Sequence, residues 1–239
     1  MLKSPFSYFN NRLERLTGLR VQPSADSRLD SIRQKILAET KVSLVVDVGA
    51  NRGQWARKVR QSNFEGKIIS FEPSYVFAEL EIEAKGDPNW EVRNIALSDV
   101  SGTRKMFIAS NQGLSSSLRE PSGIVERRPD IVFSPTHEVL LSTLSAELEN
   151  NSEDYYLKID TQGSEMNVLK GANSAFDNCV AVEFESALTP MYEGETLHYE
   201  LCDWLVNNGF EIQQLVITDW DRELRTVALD SIAVRKSVD

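Results

Sequence analysis

From residue 42 onward, short apolar runs alternate with segments whose apolar residues recur at helical spacing. The runs 42–47, 67–71 and 90–96 predict strands, and 53–61 and 74–84 predict helices between them. Such alternation implies parallel strands joined by crossover helices, a doubly wound α/β sheet. The same patterning returns later, with strands at 138–141, 155–160 and 180–185. Helices follow from about Leu144, over 164–171 and over 198–208, the last closed by Gly209. Residues 210–217 and 227–234 read as a closing antiparallel pair.

Two further helices precede the first strand. Phe6, Phe9, Leu13 and Leu16 mark one over 6–19, and Leu29, Ile32, Ile36 and Leu37 another over 28–39. Residues 1–40 therefore read as a helical appendage and 41–239 as the main domain. The first helix carries Arg12 and Arg15 near Lys3, a pattern that suits docking on the domain or a partner subunit, or contact with a membrane surface. Ser101-Gly102-Thr103 predicts a tight turn whose following strand, Arg104 to Ala109, extends the sheet as a hairpin. The polar stretch 110–135, with three successive serines at Ser115 to Ser117, reads as a long loop covering the substrate.

Composition narrows the class. With 239 residues, 41% hydrophobic and 26% charged, the chain can bury one sizeable core, and no linker divides it. A net charge of −10 and an isoelectric point near 4.9 oppose a nucleic-acid partner, which would demand a basic face. Cys179 and Cys202 lack metal spacing and read as free thiols. No run is long enough for a membrane span and no basic-then-apolar leader opens the chain, so the cytoplasm is the expected compartment.

The chemistry concentrates where strands end. Leu44 to Trp55 runs from an apolar strand through Asp47, Gly49 and Gly53 into a helical pattern, a loop that lets a cofactor approach backbone. Asn51 stands where a dinucleotide fingerprint would place its second glycine, which disfavours a pyrophosphate. Glu72 ends the second strand, where a carboxylate accepts the hydroxyls of a ribose. Two acids around one nucleoside without a phosphate cradle suit a positively charged cofactor such as S-adenosylmethionine. The same acids leave an NAD-dependent oxidoreductase as an alternative, and a non-catalytic binding module as another.

Taken in order, VVDVGANRGQW, ISFEPS, VRNIALSD with its SGT turn, SSSL, LKIDTQGSEMNVLKGA and VEFE resemble the motifs of the FkbM family of S-adenosylmethionine-dependent methyltransferases, from about Val45 to Phe210. The resemblance implies a class I methyltransferase (Rossmann-like) fold, a seven-stranded sheet with helices on both faces and its last strand antiparallel. It implies methyl transfer to a hydroxyl of a sugar, glycan or glycosylated natural product. It places the methionine end of the cofactor over Gly49, Ala50, Asn51 and Gly53, next to Asp47. The ribose falls at Glu72, the adenine near Asn94, Ala96, Leu97 and Ser98, and Asp160 faces the sulfonium. The family commonly has Asp after a Thr-Leu pair, whereas Thr143-Leu144 is followed by Ser145, which can still cap a helix.

Methyl transfer to oxygen needs an aligned nucleophile and a place for its proton. Asp160, a charge ending an apolar strand, is the candidate base or orienter. Lys158 shares its strand face, Glu165 follows within a helical turn, and either would hold the substrate. Asp160, Glu183 and Glu185 together form a candidate oxygen-ligand site for Mg²⁺. His137 stands alone in a polar segment, and His198 reads as a helix-surface residue.

Overall fold

The computed structural model describes residues 25–221 and 223–236. The predicted helix over 6–19 lies outside them. The described chain begins with helix α1 (Ala25–Thr40), strand β1 (Leu44–Val48), helix α2 (Gln54–Gln61), strand β2 (Lys67–Phe71), helix α3 (Phe77–Ala84) and strand β3 (Trp90–Arg93). Strands β4 (Ala96–Leu97) and β5 (Gly102–Ala109), helix α4 (Gly123–Arg127), strand β6 (Phe133–Ser142) and helix α5 (Leu144–Glu147) follow. The chain ends with β7 (Tyr155–Ile159), α6 (Glu165–Gly171), a 3₁₀ turn (Asn173–Asn178), β8 (Cys179–Ala187), α7 (His198–Asn207), β9 (Phe210–Trp220) and β10 (Thr226–Arg235).

The main sheet runs β3-β2-β1-β7-β8-β10-β9. The first five strands are parallel, and β10 enters antiparallel between β8 and β9. The strand order reverses between β1 and β7, which puts the crevice for a ligand beyond the carboxyl ends of those two strands.

All of β1 is buried, and its alternate side chains enter different layers. Leu44, Val46 and Val48 join Leu157, Ile159, Leu169 of α6 and Leu201 of α7 on one face. On the other, Val45 and Tyr156 join Leu29, Ile36 and Leu37 of α1, Ala56 of α2 and Leu80 of α3. This period-two division is why fully buried strands read as unbroken apolar runs. The described part of the expected N-terminal appendage is thus packed into the main core.

The predicted hairpin takes a different form. Residues 99–100 do not pair with β5; β5 instead lies antiparallel to β6, which also pairs with β4, in a separate three-stranded sheet. Met106 and Ile108 alternate inward and, with Ala96, Leu118, Val139 and Leu141, form its own small core. The strand expected over 90–96 is broken between Arg93 and Ala96, where the chain leaves the main sheet for this one. The stretch 110–135 is more ordered than a loop reading suggests, with Ser115, Ser116 and Ser117 buried and α4 inside it. At α5 it is Thr143, not Ser145, that caps the helix, accepting from the Ala146 amide at 3.2 Å.

Candidate active site

The loop after β1 is bent so that Gly49 and Gly53 have φ of 77° and 75°, a region closed to most side chains. Amides of Gly49 and Ala50 both donate to the Phe71 carbonyl at 3.0 Å, tying this loop to the end of β2. The next amide, of Asn51, donates to the Glu72 carboxylate at 2.8 Å, and the Ser74 amide donates to its other oxygen at 2.9 Å. Asn94 donates to the Glu72 carbonyl at 2.8 Å. Glu72 is buried, and burial pushes its pKa up while the Ser74 hydroxyl and the Ser74 and Asn51 amides oppose the shift. The Glu72 carboxylate still reaches the cavity wall, where it is an acceptor for hydroxyls.

A cavity opens here, lined by Gly49, Asn51, Phe71, Glu72, Ala96, Leu97 and Asp160 among others. Ile95, Met106 and Leu118 add apolar wall from the small sheet. Ala50 lines an adjoining cavity with Lys158. Asp47, Gly53, Asn94 and Ser98 line neither and support the walls instead. Gly53 is packed against Trp90, and Ser98 is buried with its hydroxyl on Asp99.

Asp47 is wholly buried at the centre of the sheet. One of its oxygens accepts from the Ser70 hydroxyl at 3.1 Å, and the other lies 3.3 Å from the Lys158 ammonium. Lys158 is itself buried, lies 3.6 Å from Asp160 and donates to the Gly49 carbonyl at 3.1 Å. Burial alone would lower the lysine pKa, but the two carboxylates outweigh it and hold the side chain charged. Lys158 is therefore a brace between the ends of β1 and β7. It is not free to hold a substrate, as the sequence reading allowed.

Beyond Asp160 lies a polar cavity of about 340 Å³, whose walls include Arg127, Arg128, Gln162, Glu165, Glu185 and Tyr192. Asp160 and Leu114 border this cavity, the cofactor-type cavity and the one beside Lys158. Leu114 comes from the 110–135 stretch, so that segment contributes to the wall of all three cavities. Gln162 sits at a positive φ of 54° and its amide donates to Asp160 at 2.9 Å and to Glu185. Its carbonyl end accepts from the Tyr192 hydroxyl at 3.2 Å, and the Ser117 hydroxyl donates to the Gln162 backbone carbonyl at 2.7 Å. Gln162 was not singled out from the sequence; its only signal was its place between Asp160 and Gly163.

Glu165, proposed from the sequence to hold substrate, is tied to its own loop through one carboxylate oxygen. One of its oxygens accepts from the Thr161 amide, the Thr161 hydroxyl and the Gly163 amide at 2.9, 3.0 and 3.1 Å. Burial outweighs these bonds and moves its pKa up to about 7.

The candidate Mg²⁺ set is corrected by Glu183. Its two oxygens accept from Arg33 at 2.6 and 2.7 Å, from Trp55 at 3.0 Å and from Tyr156 at 2.8 Å, leaving none for a cation. Among the described residues no group of three His, Cys, Asp or Glu side chains is placed to hold a metal. His198 is likewise corrected: it is buried, with Nδ1 2.8 Å from the Ser186 hydroxyl and the Cys202 sulfur 3.4 Å from Nε2. His137 is exposed on β6, away from these cavities.

The sequence from residue 47 to 212 matches the methyltransferase FkbM domain. The chain belongs to the FkbM methyltransferase family. It is an S-adenosylmethionine-dependent methyltransferase with the class I fold, and the nicotinamide-linked alternative falls away. No curated protein matches the chain significantly. Among solved structures, magnesium protoporphyrin IX methyltransferase from Synechocystis PCC 6803 with bound SAM is 10% identical, covering 98% of this chain and 99% of that one at a TM-score of 0.46. A Streptococcus pneumoniae protein in complex with S-adenosyl-L-methionine is 11% identical, with 87% and 74% covered and a TM-score of 0.48. Ribosomal protein L11 methylase from Lactobacillus delbrueckii subsp. bulgaricus is 12% identical, with 92% and 83% covered and a TM-score of 0.46.

The residues present fit the FkbM family's cofactor. The Glu72 carboxylate on the cavity wall suits ribose hydroxyls, and the apolar wall of Phe71, Ile95, Leu97, Met106 and Leu118 suits a flat base. The Gly49 bend leaves backbone exposed where the methionine end would lie. Among the described residues, no helix is long and apolar enough to cross a membrane.

Proposed function

We propose that the protein methylates a hydroxyl on a sugar unit of a glycan or a glycosylated natural product. The observation that carries this reading is the position of Asp160, on the wall common to the cofactor-type cavity and the polar cavity. S-adenosylmethionine, when bound, supplies an electrophilic methyl group. The chain's task is then to align a hydroxyl with it and to receive a proton.

The lining of the polar cavity favours a hydroxyl-rich acceptor. Arg127 faces Asp219 at 3.5 Å and Arg128 is paired with Asp130 at 2.8 Å, so both cations are already partnered. Carboxylates and guanidiniums, with Gln162 and Tyr192, present donors and acceptors to hydroxyls, and the excess of acids disfavours an anionic acceptor. In this reading Gly49, Ala50 and Asn51 hold the methionine end, Glu72 the ribose, and Ala96 and Leu97 the adenine. Asp160 orients the acceptor hydroxyl, and Lys158 and Glu165 position the two loops around it.

The test is twofold. Calorimetric titration should show saturable binding of S-adenosylmethionine and S-adenosylhomocysteine and none of NAD. Incubation with methyl-labelled cofactor and a glycan fraction should place label on a sugar oxygen, and label found only on non-carbohydrate material would overturn the assignment of acceptor.

A further inference from the structure

The cavity holds a second carboxylate that the reading above leaves without a role. Glu185 lies near the carboxyl end of β8, one strand from Asp160, and lines both the polar cavity and the cavity beside Lys158. Resting on the O-methylation reading, we infer that Glu185 is the base of the reaction, taking the acceptor hydroxyl proton while Gln162 holds Asp160 and Glu185 as a pair.

Geometry divides the two acids. Asp160 shares the Lys158 ammonium, at 3.6 Å, and borders the cofactor-type cavity. Glu185 has no ion-pair partner among the described residues and borders the polar cavity and the one beside Lys158 but not the cofactor-type cavity. A single amide, that of Gln162, donates to both, which brings two carboxylates together across one bridging group. Like charges so placed are stabilised when one of them carries a proton, and the acid without a cation is the one that accepts it.

Most charged groups around Glu185 are acids, and the Lys158 ammonium across the adjoining cavity is engaged by Asp47 and Asp160. Asp160 faces Glu185 from the end of β7, Asp230 from the paired position on β10, and Glu165 from α6. The Tyr192 hydroxyl lies within its influence from the segment after β8. On its own strand, Glu183 is neutralised by Arg33. Burial first, and then the Asp160 and Asp230 carboxylates, raise the Glu185 pKa well above the ordinary value, and a more basic carboxylate is a better proton acceptor near neutral pH. Of the other acids on the cavity wall, Glu165 accepts three hydrogen bonds from its loop, Glu195 accepts from the Met191 and Tyr192 amides at 2.6 and 3.2 Å, and Asp219 faces Arg127 at 3.5 Å.

The step balances without another reactant. The acceptor oxygen forms a bond to the methyl carbon and its proton passes to Glu185. The carbon–sulfur bond breaks with its electron pair going to sulfur, so that S-adenosylhomocysteine and the methyl ether leave and Glu185 returns its proton to solvent.

The test uses the full chain with labelled S-adenosylmethionine and a panel of methyl glycosides, oligosaccharides and the matching amino sugars. Glu185→Gln should lower kcat on a hydroxyl acceptor about 100-fold or more, Glu185→Asp should restore part of it, and both should bind S-adenosylhomocysteine within about twofold of wild type. The wild-type rate should rise with pH through the Glu185 titration, and Glu185→Gln should lose that limb. An unchanged rate and pH limb in Glu185→Gln would overturn the role and leave O-methylation standing. Transfer to amino groups with none to hydroxyls would overturn O-methylation and this assignment with it. Carboxyl ¹³C NMR of the S-adenosylhomocysteine complex gives a readout that needs no acceptor: a glutamate titrating well above the usual range and missing in Glu185→Gln supports the inference, and its titration in the ordinary range refutes it.

Discussion

A Cβ placed on Gly49 would lie 1.8 Å from the carbonyl oxygen of Asp160. The loop after β1 and the end of β7 are therefore in backbone contact, and the Asp160 amide closes the junction by donating to Val48 at 3.0 Å. Cofactor loop and candidate catalytic acid are fixed relative to one another by main chain, which does not repack as side chains do.

Gly49→Ala should accordingly damage both binding and stability. The substitution meets a positive φ and a backbone obstacle together, and the combined cost should be about 2–4 kcal/mol. Thermal denaturation with and without S-adenosylmethionine checks this: the variant should melt earlier and show no stabilisation by the cofactor.

Glu72→Gln should weaken cofactor binding about 10–100-fold while the protein stays folded. Two backbone donors, from Asn51 and Ser74, point at the two carboxylate oxygens, and an amide presents a donor to one of them. Calorimetric titration with S-adenosylhomocysteine measures the loss, and an affinity equal to wild type would remove Glu72 from the ribose site.

Strand ends and glycine turns were legible in the sequence because their signals are local. The run Leu44 to Val48, the bend at Gly49 and the acids Glu72 and Asp160 each follow from a few adjacent residues. What stayed hidden depends on distant pairing. Arg33 reads as an ordinary polar position on an amphipathic helix until Glu183, remote in sequence, is seen beneath it. The small sheet required pairing β5 with β6 across the 110–132 segment, so a nearby turn at Ser101 to Thr103 was the more economical reading. The same distance concealed Glu185 beside Gln162, since nothing in VEFE distinguishes the glutamate that meets Arg33 from the one that meets Asp160.

Arg33→Ala should destabilise the fold by about 3–5 kcal/mol, because it strands Glu183 as a buried charge. Arg33 also lies 4.8 Å above the Trp55 ring, so the loss extends to α2. Replacing Arg33 and Glu183 together by methionine should cost less than Arg33→Ala alone. Urea unfolding of the single and double variants decides this, and equal or greater loss in the double variant would mean the pair is worth more than its desolvation.

Asp160→Ala should leave cofactor affinity within a few fold of wild type and reduce kcat about 100-fold or more. The carboxylate borders the cofactor-type cavity, but in the proposed reading Glu72 and the Gly49 loop carry the cofactor. Single-turnover assays with pre-bound labelled cofactor separate binding from chemistry, and normal turnover would exclude Asp160 from the reaction.

Glu165 gives the fold a pH dependence with a definite sign. Its pKa rises on folding from 4.5 to about 7, so between those values the folded state holds a proton that the unfolded chain has released. Its stabilising contribution is present below about pH 4.5 and is lost as pH rises to about 7, a change on the order of 3 kcal/mol. Glu165→Gln keeps an oxygen for the Thr161 and Gly163 donors and cannot ionise, so it removes the slope without cutting those bonds. Urea unfolding of wild type and Glu165→Gln at pH 5 and pH 8 should show the variant gaining on wild type at the higher pH. A stability difference that does not change with pH would show that Glu165 titrates as an ordinary carboxylate, held charged by the amides of its loop.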